Sequence, residues 1–235
     1  MKIIISIPHS SKIILDKFKN NYLKPLTYYY KHIDYGVDTF CKLEGFDFIE
    51  AEVSRFVVDL NRERNDIGSN HGVIILKDWD NNLVFKKKPS TSEIETMLKK
   101  YYDPYYLKIK KLIGTQKDVF LLDCHSMDSH NHDDGTRRPD ICLATNNGKS
   151  CSGEIVKVFK EEFEKAGFHV EIDNPYSGSR ANIVKYANRL GVGAMELEFN
   201  KAIYMDEMSF KIDEIATKKL KKILVNILDK TKIKK

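Results

Sequence analysis

The chain has 235 residues, 42% of them hydrophobic, and a formal net charge of +5. That length suits one large α/β domain over residues 1–235, and the apolar share is enough for a substantial core, which excludes a disordered chain. The surplus lysines gather at Lys86–Lys88, Lys99–Lys100, Lys108–Lys111 and from Lys218 onward. With no aromatic-plus-basic motif beside them they read as solvated faces, so no nucleic-acid partner is expected.

The first apolar run, Ile3 to Ile7, reads as a strand leading into Pro8-His9. It is too short for the apolar core of a signal peptide and ends without a small-residue cleavage site. Asp34 to Leu43 has helical character. Arg55-Phe56-Val57-Val58-Asp59-Leu60 reads as a strand running into Asn61-Arg62. Ser92 to Leu112 reads as helix, with a capping signal at Ser92-Glu93 and a break at Asp103-Pro104. Val119 to Leu122 is a strand leading into Asp123-Cys124-His125. Ser152 to Ala166 is a helix stopped by Gly167. Ala194 to Phe199 is a strand ending at Asn200, and Phe210 to Leu228 is the longest helix. The basic tail Lys230–Lys235 is expected to fray. Strands alternating with helices predict an α/β fold, a mostly parallel mixed sheet flanked by helices.

No stretch approaches a membrane span. Cys41, Cys124, Cys142 and Cys151 form no CxxC pair and read as reduced thiols, which suggests the cytoplasm. Oligomeric state is left open.

In open α/β sheets functional groups gather beyond the carboxyl ends of the strands, so His9, Arg62, His125 and Glu198 are expected to meet. Two histidines after apolar strands suit a divalent ion, and a catalytic zinc site takes a third protein ligand, here a carboxylate. Asp34 is preferred, then Asp38 one helical turn on, then Glu52. A single strand-end histidine satisfied by a backbone carbonyl is the competing explanation. Glu196 and Glu198 face opposite to Met195, Leu197 and Phe199 in a strand, and buried carboxylates are costly unless paired or metal-bound. An edge strand with one wet face would also explain them. The functional alternative makes Glu198 a general base. Arg55, Arg62, Arg137, Arg138 and Arg180 are candidates for an oxyanion or a substrate carboxylate, although a lone arginine more often serves a surface ion pair. Asn174-Pro175-Tyr176-Ser177-Gly178 is a turn-rich loop able to close over a site.

Seven segments, in order along nearly the whole chain, resemble the N-formylglutamate amidohydrolase family. They are Ile7-Pro8-His9-Ser10-Ser11, Ser54 to Arg62, Asp103-Pro104-Tyr105, Leu122 to Met127, Arg138-Pro139-Asp140-Ile141, Asn174 to Gly178, and Leu197-Glu198-Phe199-Asn200. The resemblance implies a zinc-carboxypeptidase-like three-layer sandwich, similar also to aspartoacylase. It implies one Zn2+ per chain on His9, His125 and a carboxylate, preferably Asp34. Glu198 would be the base, and Arg138 or Arg55 the oxyanion partner. Asn61 and Arg62 would grip a substrate carboxylate, with Asn174 and Tyr176 also on the substrate, a small acidic N-acyl amino acid.

Three positions depart from the related patterns: Lys12 where a carboxypeptidase His-x-x-Glu motif has its Glu, Tyr106 where family members often carry His, and Lys201 in place of Arg. A small metallocarboxypeptidase, another N-acyl amino acid deacylase, and a non-catalytic ligand-binding protein on the same fold are the alternatives.

Overall fold

The computed structural model describes residues 1–233. Six strands form one sheet: β1 (Lys2–Ile7), β2 (Asp47–Glu50), β3 (Val119–Met127), β4 (Ile141–Ala144), β5 (Val170–Ile172) and β6 (Gly193–Asn200). Their order is β2-β1-β3-β6-β4-β5, and every pairing is parallel except β4 against β6. The helices are α1 (Asp16–Lys19), α2 (Asp38–Cys41), α3 (Thr91–Met97), α4 (Asp103–Ile113), α5 (Gly153–Lys165), α6 (Asn182–Arg189) and α7 (Glu214–Ile233). A small hairpin, β7 (Met205–Asp206) with β8 (Lys211–Ile212), leads into α7. The expected mixed α/β sandwich is therefore present.

Alternation along the strands divides the sheet into two faces. Ile3, Ile5, Ile7, Phe120, Leu122, Met195, Leu197 and Phe199 pack on one face with residues of α2, α5 and α7. Each such fully buried side chain contributes about 1.5–3 kcal/mol of burial energy. The other face begins apolar, with Ile4, Leu121 and Ala194 against α4, α6 and the long irregular segment 51–84. Toward the carboxyl ends of β1, β3 and β6 that face turns polar: Ser6 pairs with Asp123, Asp123 with Glu196, and His125 with Glu198. All five are nine-tenths buried or more. The chemistry thus sits on the strands themselves as well as past their ends, because β3 continues to Met127 and β6 to Asn200.

Several local expectations change. Arg55–Leu60 is not a strand but a run of buried turns. Its carbonyls are met by hydroxyls instead of a ladder: Tyr22 donates to Phe56 O (2.8 Å) and Tyr106 to Leu60 O (2.6 Å). The helix expected from Asp34 is confined to Asp38–Cys41. Gly36 interrupts it with φ +84°, and a Cβ there would lie 2.9 Å from Ile212. The segment from Ser92 is capped earlier, by a Ser90–Glu93 capping box. It passes through Asp103-Pro104 without breaking, because a wider π-type turn over Leu98–Tyr102 precedes the proline. The last helix begins at Glu214, not Phe210, since Phe210 has φ 56° and Asp213 accepts from Ile215 N and Ala216 N. Of the tail expected to fray, the chain is helical to Ile233; Lys234 and Lys235 lie outside the described residues.

Candidate active site and metal centre

Three donor atoms converge where β1 ends beside β3. His9 follows β1, and its carbonyl accepts the Asp34 amide at 3.0 Å, which locks Asp34 next to it. The His9 Nδ1 lies 3.5 Å from Asp34 Oδ2, and the His125 Nδ1 lies 2.9 Å from the same oxygen. The three residues are buried, and these atoms all fall within 4.8 Å of one another. Asp38 is only half-buried and Glu52 is exposed, so of the three carboxylates weighed from sequence Asp34 is the one brought to the histidines.

The far side of each imidazole is also fixed. His9 Nε2 lies 2.8 Å from Asp59 Oδ1, and Asp59 takes the Nε (3.0 Å) and Nη2 (2.7 Å) of Arg55 on its other oxygen. Burial works to raise the Asp59 carboxyl, but the charges of Arg55, His9 and Arg62 hold it well below the usual carboxylate range. An ionised carboxylate only accepts, so His9 Nε2 donates to Asp59, and Nδ1 is the ring nitrogen that faces Asp34. His125 Nε2 meets Asp123 Oδ2 at 3.0 Å and Glu196 Oε1 at 3.5 Å. Asp123 in turn accepts from Ser6, which shares a hydrogen bond with Tyr105.

Charge decides what this arrangement can hold. Asp34, Asp59, Asp123, Glu196 and Glu198 are all buried around two imidazoles, with Arg55 and Arg62 nearby. Burial tends to lower His125, but the charge and hydrogen bond of Asp123 and the bond to Asp34 raise it well above its usual value. The pocket therefore demands positive charge between the rings and Asp34, from a proton or from a cation. A His₂-carboxylate set with each imidazole anchored by a carboxylate is the donor chemistry of a catalytic divalent ion. Asp123, His125 and Glu196 form a second possible group on the other edge of the same ring. There the Asn61 amide nitrogen already lies 3.2 Å from Asp123, 3.2 Å from His125 and 3.3 Å from Glu196, which leaves the Nδ1 side as the open one.

Beside these donors lies a cleft of about 420 Å³. Glu198 lines it, and its Oε2 is buried with no hydrogen-bond partner among the described residues. Burial raises the Glu198 carboxyl well above the carboxylate range; Glu196 and Asp34 push the same way and His125 opposes. Six cations line the cleft: Lys31, Arg55, Arg62, Arg138, Arg180 and Lys201. Arg55 is committed to Asp59 and lies 4.6 Å over Trp79; Lys31 pairs with Asp80 and Lys201 with Asp128. Arg62 donates only to the carbonyls of His71 and Asn61, and Arg138 to Tyr176 Oη (3.0 Å) and the Asp128 carbonyl. Arg62, Arg138 and Arg180 thus face the cleft without a carboxylate partner among the described residues.

Not every residue singled out from sequence belongs here. Asn174 is exposed, hydrogen-bonds Glu171 and does not line the cleft, because the loop turns inward only at Pro175 and Tyr176. Asn61 lines the cleft, but its Oδ1 accepts the Ile183 amide and its amide nitrogen serves the Asp123–His125–Glu196 cluster. It therefore braces His125 before it can touch substrate. Arg137 is exposed and paired with Asp140. Tyr106 lies in the core, donating to Leu60 O and accepting from Asn182, so its exchange for histidine does not reach the cleft. Lys12 lies 4.9 Å over the Tyr35 ring. Lys201 is buried and bonds Asp128 and the Lys31 carbonyl, both at 2.6 Å. Sequence reasoning gave no role to Asp59; its signal was its place two residues before Asn61 in the Asp59-Leu60-Asn61-Arg62 string. Trp79, the single tryptophan, had no local signal at all.

Among the described residues no helix is long and apolar enough to cross a membrane. The fold resembles the crystal structure of N-formylglutamate amidohydrolase from Ralstonia eutropha JMP134, with a TM-score of 0.86 at 18% identity, covering 99% of this chain and 94% of that one. It also resembles the gene product Atu2144 of Agrobacterium tumefaciens, with a TM-score of 0.75 at 16% identity over 98% and 90% of the two chains. The sequence is 26% identical to N-formylglutamate deformylase of Pseudomonas putida in an alignment of 224 residues that covers 88% of this chain and 83% of that protein. It is 28% identical to the enzyme of that name from Pseudomonas aeruginosa in an alignment of 177 residues that covers 70% of this chain and 66% of the relative. A family model described as N-formylglutamate amidohydrolase matches residues 1–205, and the chain belongs to that family of amide-hydrolysing enzymes.

Proposed function

We propose that the chain is a zinc-dependent hydrolase that removes the formyl group from N-formyl-L-glutamate, working as a single catalytic domain. The observation that supports this most is the pairing of a His9–Asp34–His125 donor set with a Glu198 oxygen in one cleft lined by three arginines; among the described residues the oxygen has no hydrogen-bond partner and the arginines no carboxylate partner. The names of the Pseudomonas relatives point to the same substrate.

A zinc ion held by His9, Asp34 and His125 would supply Lewis acidity and lower the pKa of a bound water to about 7. Asp59 and Asp123 hold the two imidazoles so that each Nδ1 faces Asp34. Glu198 takes the proton of the water attacking the formyl carbon, and its raised affinity for protons suits it to pass that proton to the leaving nitrogen. Arg138 is better placed than Arg55 to face the developing oxyanion, because the Arg55 guanidinium is already paired with Asp59. Tyr176 steadies Arg138 through its hydroxyl. Arg62 holds the α-carboxylate and Arg180, at the rim, the side-chain carboxylate; a dicarboxylate is the substrate that neutralises both. Collapse of the tetrahedral centre breaks the C–N bond and releases formate and glutamate.

The test is formate release from N-formyl-L-glutamate by the purified chain, with and without chelator, compared with N-formyl-L-methionine. Chelator-sensitive release that favours the acidic substrate is expected. Release that ignores the chelator would sink the zinc assignment, and a preference for the methionine compound would sink the substrate assignment.

A further inference from the structure

A second set of donors, apart from the His9–Asp34–His125 group, adjoins the same cleft through His32, which lines it. His32 ends the 3₁₀ turn Leu26–His32, and Asp78 and Asp80 flank Trp79 on an irregular loop. The His32 Nε2 is buried and has no hydrogen-bond partner among the described residues, while its side chain is only 4% exposed. It points at Asp78 Oδ2, 3.9 Å away, and at Asp80 Oδ2, 3.7 Å away. An imidazole nitrogen buried without a partner is costly, and neither carboxylate is close enough to serve as one.

We propose that His32, Asp78 and Asp80 form a second binding site for a divalent transition-metal ion. Two donors each about 2.1 Å from an ion, at angles between tetrahedral and trigonal, stand about 3.4–3.7 Å apart. The observed spacings of 3.7 and 3.9 Å from His32 need only a slight contraction, and the three donor atoms all lie within 4.8 Å of one another. A neutral imidazole beside two carboxylates selects an ion of the zinc, manganese or iron type over magnesium or calcium.

The frame is already rigid. Asp78 Oδ1 accepts the amides of Asp80 (3.0 Å) and Asn82 (2.8 Å), which fixes the loop and leaves Oδ2 facing His32. The Tyr28 hydroxyl lies 2.9 Å from Asp78 Oδ2 and 2.8 Å from Asp80 Oδ2, and the Asn82 amide approaches Asp78 at 3.4 Å. The Lys31 ammonium pairs with Asp80 Oδ2, and an incoming ion would displace it. Lys31 lines the cleft, so its release would add a further free cation to the substrate pocket.

The test is zinc stoichiometry of the full chain, stripped with chelator and then dialysed against excess free Zn2+. The native chain should hold about two ions, and His9→Ala, His32→Gln and Asp80→Asn about one each. Asp80 is 37% exposed, so Asp80→Asn disturbs packing least, and a thermal melt confirms that each variant is folded. A native count unchanged in both His32→Gln and Asp80→Asn would overturn the site. So would about one ion lost only in His9→Ala, a result that leaves the proposed activity standing. One ion lost in Asp80→Asn but kept in His9→Ala would support this site and remove the zinc assignment at His9. No bound ion at all would overturn both.

Discussion

His125 on β3 and Glu198 on β6 are direct cross-strand partners, one row above Asp123 and Glu196 on the same face of the sheet. The sheet's register therefore holds a metal-ligand candidate and the proposed base together, with no loop between them to flex. A site held by paired central strands is fixed more firmly than one built on loops.

Replacing Glu198 by Gln keeps the shape and removes the base. Turnover of N-formyl-L-glutamate should fall by about 10²–10⁴, with KM and zinc content nearly unchanged. Because the native carboxyl is buried with an unpartnered oxygen, the variant should melt no lower than the native chain. Near-native turnover with metal bound would remove Glu198 from the mechanism.

Asp59→Asn should act on metal and fold together. The amide leaves the Arg55 guanidinium without its anion and weakens the grip on His9 Nε2. Zinc affinity should fall by about 10–100-fold. Stability should fall by about 3–5 kcal/mol, the cost of breaking a buried ion pair. The folded carboxyl is depressed, so its contribution is present above the unfolded pKa of about 4 and lost as pH falls through the lower folded value. Urea unfolding should show the gap between native and variant narrowing on the acid side of pH 4 and constant from about pH 5 to 7.

Much of this site is legible in the sequence, and the part that is not has a physical reason. Apolar runs ending in His9 and His125, and the period-two pair Glu196 and Glu198, betray themselves locally because strand geometry assigns their faces. Arg55–Leu60 imitates a strand just as well, yet its backbone partners are the hydroxyls of Tyr22 and Tyr106, 34 and 46 residues away. No window of sequence shows such a partner. Residue type and a helical spacing to Asp38 single out Asp34, but what brings it to His9 is a backbone bond across the fold and the turn at Gly36. Asn174 looked like Tyr176's companion because sequence does not say where a loop turns inward.

Arg180→Ala should separate the two carboxylates of the substrate. KM for N-formyl-L-glutamate should rise by about tenfold or more, with little change for N-formyl-L-methionine. Arg62→Ala should raise KM for both. Equal effects of Arg180→Ala on the two substrates would show that Arg180 does not read the side chain.

Lys201→Met tests the structural role of that departure from the family pattern. The buried ammonium bonds Asp128 and the Lys31 carbonyl, so its loss should destabilise the chain by about 1–3 kcal/mol. Burial works to raise the Asp128 carboxyl, but Lys201 holds it below its usual value. The Asp128 contribution is thus present above about pH 4 and fades as pH falls through the folded pKa. Denaturant unfolding of both chains across that range measures the difference.

The most direct test of the central claim is zinc content and formate release measured on one purified sample. The account predicts bound zinc, formate released from N-formyl-L-glutamate, and loss of both in His125→Ala with the fold retained. Full formate release from chain stripped of metal, or from folded His125→Ala, would contradict it.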